Sequence, residues 1–580
     1  MKIIYKYTDK LLILFFLSFI IVITLSAVDA VSPSSPIIYV NGSHGNDSWD
    51  GFSWSTAKLS IKNATGTITN GGTVKIANGV YTGVNNTNIT IDKNMTITGQ
   101  SQRGTVIDAQ HLSRIFNITT GNNVIIQNLT FTNGNATIVG VIVNNGNLTI
   151  NNCLLVNNTE IGIYSDYHAG IIYSTGNLTV NKCIFANNVA TYGNGAIYNE
   201  DGTLIVNSSI FTNNTAYYGV GAISNLGRLT VIGSTFTNNT SSEFSGGAIS
   251  NLGRLTVIGS TFTNNYAPCG GAIDNYQGFG AVNSSIFTNN RAFWGGAIYN
   301  SGNLNISGSS FTDNSAVYGG AIHNNGKSTM HFNRFIKNFS SDIYNTFISC
   351  DANYNWWGSN VRPSSERVVN ATVSKWMVLT IKSSSTSVGN YKTSIIRADL
   401  CHDNAGVYHN PVNGNVPDGI KVVFKTTLGT INSHLYTVNG VVWSTFKAGS
   451  VAGISKVSAV VDNQTVNTSV KVIDTISPKV ISTNPKNGST GVSRTSTIAI
   501  KFSKKVKAST YWSKIYIKNL KTGKRVSIKK WISGNTLYIK MIYSRYTRSW
   551  YQVYIPKSAV KDYTGNKASG YILNFKTRSY

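Results

Sequence analysis

The nineteen residues GAISNLGRLTVIGSTFTNN occupy Gly221–Asn239 and return unchanged at Gly247–Asn265. They belong to a longer series. An aromatic or aliphatic residue stands before each Asn-rich turn at Phe131, Leu155, Phe185, Phe211, Phe236, Phe262, Phe287, Phe311 and Phe335, at spacings of 24 to 30 residues. A second marker runs in phase with it: GAIYN from Gly195, GAISN from Gly221, GGAISN from Gly246, GGAIDN from Gly270, GGAIYN from Gly295 and GGAIHN from Gly319. A period of this length is the mark of a stacked repeat.

Each unit alternates. In LTVIGSTF, Leu229, Val231, Ser234 and Phe236 fit one face, with Gly233 resetting the phase, while Thr230, Thr235 and Thr237 fit the other. Period-two alternation reads as strand, and no unit carries a 3.6-residue pattern. A unit with two or three short strands cannot bury its apolar face alone, but stacked copies can. The expected fold is a parallel β-helix, right-handed by chain chirality. Equal positions in successive coils then lie about 4.8 Å apart in columns, so that Phe stacks on Phe and the Asn turns form an amide ladder. Cys153 and Cys183 lie two positions before the column residue, where later coils carry Ser209, Ser234, Ser260 and Ser285. They are expected to be buried thiols in adjacent coils.

The chain has 580 residues, 12% of them charged, which suits several domains of an extracellular all-β protein. Five cysteines do not make a disulfide framework. The start, MKIIYKYTDK followed by LLILFFLSFIIVITLSAV, reads as a secretory signal over residues 1–30, cleaved after Ala30. An uncleaved anchor is the alternative, and the only membrane contact expected. Asn-x-Ser/Thr triplets recur, among them Asn41, Asn63, Asn88, Asn128, Asn177, Asn283 and Asn338, which predicts a glycoprotein where the host modifies them.

The segment 37–83 resembles the entry to a pectin-lyase-like β-helix, with a Gly/Asp-rich loop, a short helix over the first coil and a Gly79-Val80-Tyr81 turn. The β-helix is expected over 36–362, closing near NYNWWGSN (353–360), where Trp356 and Trp357 cover the last coil; stacking on sugar is the other reading of that pair. From about Val373 the runs WMVLTI, KTSIIRADL, IKVVFKTTLGTI and KVSAVVD are strands between Gly/Asn/Pro turns, the spacing of a β-sandwich. Residues 373–475 resemble an invasin-type Ig-like domain. Residues 476–580 resemble the Ig-like domain of surface-layer proteins. The GGAI and Phe-x-x-Asn repeats resemble polymorphic outer-membrane-protein repeats. The whole layout resembles adhesin-like surface proteins of methanogenic archaea. No C-terminal translocator barrel is recognised, which speaks against an autotransporter. The resemblance implies a secreted, wall-associated, non-enzymatic protein whose β-helix meets glycans or other cells.

The rival reading is a secreted polysaccharide lyase or hydrolase with a wall-targeting module. Hydrolysis needs a carboxylate pair at a fixed separation. Elimination needs a base, with a cluster of carboxylates for Ca²⁺. Asp274 takes the fifth place of GGAIDN between column neighbours Ser250 and Tyr299, with no second acid there, and Asp313 replaces a turn Asn. No catalytic, metal or cofactor residue is assigned. His323 reads as a surface residue beside a tight turn, and Cys401, His402 and His409 lack the spacing of a zinc site.

Charge supplies the site. The chain carries +27, and residues 476–580 hold 22 Lys and Arg against one acid, Asp562. Such a module repels itself unless a polyanion meets it. For an exported chain that partner is an anionic wall polymer rather than nucleic acid. The candidate contacts are Lys504, Lys505, Lys507, Lys524, Arg525, Lys529, Lys530, Arg545 and Arg548, interleaved with Trp512, Tyr516, Trp531, Tyr538, Tyr543, Tyr546, Trp550, Tyr551 and Tyr554.

Overall fold

The computed structural model describes residues 36–136, 139–162, 170–346 and 348–580; the expected signal lies outside them. Among the described residues no helix is long and apolar enough to cross a membrane. The chain is all-β and divides into two compact units, one running to Trp357 with Arg362–Trp376, the other Gly358–Val361 with Met377–Tyr580.

The first unit is a parallel β-solenoid. Its described strands form three long parallel sheets of thirteen, twelve and eleven strands and a short one of five. The two copies of the nineteen-residue phrase sit in adjacent coils in exact register, Leu229 on Leu255, Phe236 on Phe262 and Asn225 on Asn251. Leu229, Val231, Ser234 and Phe236 all point into the core, as the alternation around Gly233 (φ +53°) requires. Phe185, Phe211, Phe236, Phe262, Phe287, Phe311 and Phe335 form one stack at 4.6–5.0 Å between ring centroids.

The FTNN turn separates two jobs. Its first Asn (Asn213, Asn238, Asn264, Asn289) takes the left-handed conformation, φ +54° to +56°, which Asn tolerates better than most residues. Its second Asn is buried and bonds upward: the Asn239 amide donates to Asn265 Oδ1 (3.0 Å) and to the Phe211 carbonyl (2.9 Å). The same pattern runs from Asn158 to Asn338. The GGAI-x-N marker makes a second buried amide column, Asn199 through Asn345, at 2.7–2.8 Å.

Cys153 and Cys183 are buried free thiols at the head of a column of acceptors. The Cys153 N–H donates to Cys183 Sγ (3.4 Å), Cys183 N–H to Ser209 Oγ (3.1 Å), and Ser209 N–H to Ser234 Oγ (3.1 Å).

Both ends are closed. Helix Ile61–Thr67 buries Ile61 and Ala64 in the same core as Ile38 and Val74. Asp47 in the entry loop fixes its start, accepting from Leu59 N–H and Ser60 N–H (3.0 and 2.9 Å). Gly79–Tyr81, expected as a turn, is a short strand paired with Thr105–Ile107. Its Tyr81 is buried with the hydroxyl on the Ala77 carbonyl. At the far end Trp357 continues the Phe stack, 4.8 Å from Phe335. Trp356 and Trp357 are at most 1% exposed, so they are a cap and leave no ring face for a sugar.

The second unit begins with a four-stranded and a five-stranded sheet over Met377–Ile473. It ends with two four-stranded antiparallel sheets and a two-stranded ladder over Val480–Lys576.

Candidate polyanion interface

The terminal sandwich packs two sheets over one core. One contributes Ile498, Ile500, Leu537 and Ile539, the other Ile517, Val553, Leu573 and Phe575. Side chains alternate across a strand, so the residues between these point outward, and the register says which of them meet.

In the first sheet, Ile528–Ser533 pairs antiparallel with Thr536–Met541 and sets Lys529 opposite Lys540 and Trp531 opposite Tyr538. The Trp531 and Tyr538 rings stack at 5.4 Å, 16° between planes. Lys501, on the next strand, is also exposed. In the second sheet, Lys518 lies opposite Arg525 and Tyr516 opposite Tyr554. The tyrosines stack at 5.0 Å, and the Arg525 guanidinium lies 4.0 Å over the Tyr516 ring, a cation–π contact. Lys576 pairs with Trp550 on the same face. Directly opposed like charges destabilise a sheet.

The single acid of this domain is used elsewhere. Lys504 Nζ holds Asp474 at 2.6 and 2.7 Å, the Ile476 carbonyl at 2.6 Å and Asp562 at 3.4 Å. Hydrogen bonds, from Lys504 to Asp474 and from Asn566 and Thr564 to Asp562, pull both carboxyls below the usual carboxylate range against some burial.

Three expected contacts are therefore corrected. Lys504 is neutralised in this ion cluster. Lys530 sits on the inward register at a sheet edge, where its ammonium donates to the Ser513 and Ile515 carbonyls (3.3 and 3.2 Å) and burial lowers its pKa. Arg545 is 1% exposed; it donates to the Ser493 and Ser496 carbonyls and to Ser496 Oγ and lies 5.0 Å over Phe575. Lys505, Lys507, Lys524 and Arg548 are exposed, with Lys507 5.2 Å over Tyr563, beside a cavity of about 270 Å³ lined also by Trp512 and Ile532. The register brings Lys529 together with Lys540, and Arg525 with Lys518. Lys501, Lys518, Lys540 and Lys576 were missed; counting alternate positions outward from the inward Ile500, Ile517, Ile539 and Phe575 would have found them.

The solenoid offers a different surface. The loop that leads from each FTNN-type turn to the next GGAI-type strand, the third turn of each coil, carries Tyr217, Phe244, Phe293, Trp294, Tyr318 and Phe339, all 38–71% exposed. Beneath it, Asp274 lies on Ser250 and under Tyr299, as the columns predict. Burial pushes its carboxyl up to about 7 despite the nearby Ser245 hydroxyl, and Oδ1 has no partner among the described residues. His323, expected at the surface, is 7% exposed among Tyr299, Tyr318 and Tyr344. Burial lowers it to about 4.

Comparison with known proteins agrees with this division. Residues 474–577 match the family described as a bacterial Ig-like domain. Residues 182–200 and 284–301 match the Chlamydia polymorphic membrane protein repeat. The chain is thus similar to repeat-built β-solenoid proteins in its first part and to bacterial Ig-like domains in its last. No curated protein matches. Among solved structures, the adhesin InvE of Yersinia pseudotuberculosis is 15% identical over 34% of this chain and 58% of that one, TM-score 0.20. A mannuronic acid specific polysaccharide lyase from human gut microbiota is 11% identical over 50% and 73%, TM-score 0.32. A lacto-N-biosidase from Eubacterium ramulus is 12% identical over 55% and 67%, TM-score 0.30. At these values the likenesses carry no argument about activity.

Proposed function

We propose that the chain is an adhesin-like surface protein whose solenoid is displayed toward glycans or other cells and whose terminal domain, residues 476–580, is held on an anionic polymer of the cell envelope. Residues 373–475 act as the spacer. The observation that carries this reading is the terminal domain's excess of cations over internal counter-ions: 22 Lys and Arg face one acid that Lys504 already occupies. The polymorphic-membrane-protein repeats and the Ig-like match support surface exposure, and the exposed aromatic rings of the third turn suit glycan contact.

Co-sedimentation of the full chain with isolated envelopes across a salt series tests it. Electrostatic retention is lost steeply as salt rises and the Debye length shrinks. Absence of binding at low salt sinks the retention half of the proposal.

The polysaccharide-cleaving alternative gains nothing from Asp274, whose carboxyl is raised to about 7 by the same burial that leaves it 2% exposed and out of a polymer's reach. Turnover of uronate or neutral glycans that vanishes on mutating loop carboxylates would install it instead.

A further inference from the structure

The two outward faces of the terminal sandwich repeat one composition on unrelated strands. Each sets a cross-strand pair of cations, Lys529 with Lys540 or Lys518 with Arg525, beside a cross-strand aromatic stack, Trp531 with Tyr538 or Tyr516 with Tyr554. A core of Ile498, Ile500, Leu537 and Ile539 against Ile517, Val553, Leu573 and Phe575 lies between them, so the faces look away from each other.

Neither face has an acid of its own. Asp562, the one acid of residues 476–580, sits in the separate ladder Val560–Asp562 with Val506–Ala508 and is engaged by Lys504. Opposed like charges oppose strand pairing. Folding gives no reason to place such a pair on each sheet, whereas a ligand that brings the missing anions does. The adjoining rings specify that ligand further. Exposed aromatic rings such as Trp531, 39% exposed, stack on the apolar faces of sugar rings, and the cations meet carboxylates or sulfates along the same polymer. A lipid surface is flat and engages one face of a sandwich at a time; it leaves the second face unexplained.

We infer that the terminal domain is bivalent: each outward face binds its own stretch of an acidic polysaccharide, so that one domain bridges two polymer segments. This rests on the polyanion reading above and goes beyond it in number, place and ligand class. Bridging makes retention an avidity effect, since the second contact is intramolecular once the first has formed.

The test is titration of the full chain with a short oligogalacturonate, read by calorimetry, together with turbidity on adding long polygalacturonate. Expected are two oligomers per chain and cross-linked precipitate with the polymer. Lys529→Gln/Lys540→Gln and, separately, Lys518→Gln/Arg525→Gln each reduce the stoichiometry from two to one and abolish precipitation. The affinity of the remaining site stays within about twofold, as for independent sites. The four-fold variant binds neither ligand. Circular dichroism confirms that each variant keeps its β-sheet signature; any that does not is replaced by Trp531→Ala or Tyr516→Ala, which remove the ring and leave the charges. A stoichiometry of one, with both double variants weakening the same event, overturns bivalency and leaves the polyanion reading standing. Binding of single-stranded DNA at both faces without binding of the oligogalacturonate overturns the polysaccharide assignment. No binding of any polyanion overturns both readings.

Discussion

Arg545 and Arg548 look alike in sequence, two cations in one aromatic loop, yet they hold different positions in energy. Arg545 is buried on three backbone and hydroxyl oxygens and a phenyl ring, and its removal leaves the part-buried Ser493 and Ser496 carbonyls unpaired at about 1–3 kcal/mol each. Arg545→Ala is expected to destabilise the terminal domain by roughly 3 kcal/mol or more, while Arg548→Ala stays within about 0.5 kcal/mol; urea denaturation of the two variants reads the difference. Asp274 and His323 make a second residue-scale prediction. Burial raises the folded Asp274 carboxyl to about 7, well above the ordinary 3.8 of a free one. The fold therefore binds its proton more tightly, and stability falls as pH rises from about 4 to about 7. His323 titrates near 4 against 6.5; the fold prefers it neutral, and stability rises with pH over that window. The two slopes oppose each other between pH 4 and 6.5. Thermal midpoints of Asp274→Asn across this range should rise with pH, and those of His323→Gln should fall. Identical profiles in both variants would contradict the assigned burial costs.

At the scale of the coil, the two adjacent asparagines of FTNN are unequal. Asn239 donates to Asn265 Oδ1 and the Phe211 carbonyl and accepts from the backbone and amide N–H groups of Asn214. Asn239→Ala orphans these buried partners and should cost roughly 4 kcal/mol. Asn238 makes an exposed ladder contact to Asn213 at φ +55°, so Asn238→Ala should cost about 1–2 kcal/mol through its backbone conformation alone. Hydrogen exchange in the flanking coils measures both; equal deprotection would show that the buried column is not the source of coil cohesion. The columns, their period and the buried position shared by Cys153, Cys183 and the later serines were legible in sequence because a stack repeats every contact at one spacing. The fate of His323 was not legible, because a residue outward on its own strand is buried by Tyr299, Tyr318 and Tyr344 of neighbouring turns and coils.

For the whole molecule, a solenoid is stabilised by neighbour-on-neighbour terms. Excising residues 221–246 removes one unit and joins Val220 to Gly247, which restores the wording Val-Gly-Ala-Ile-Ser-Asn. The shortened chain is expected to fold with Phe211 on Phe262 and to unfold cooperatively within a few degrees of the parent. An unfolded product, seen by circular dichroism, would mean that long-range terms hold the stack. In the terminal domain the sequence showed the charge excess but not its arrangement. Lys504, Lys530 and Arg545 were indistinguishable there from Lys529 until the register gave them partners.

The sequence alone determined that this protein stacks, at what period, with which residues inside, and that its last hundred residues carry a single acid. Those properties follow from local alternation and composition, which each coil and each strand carries by itself. Only the tertiary structure decided which cations are spent on Asp474, Asp562 and backbone carbonyls, and which stand paired on two opposite faces. Strand register and the path of a loop over a sheet are set by packing between segments distant in the chain, and no local pattern encodes them.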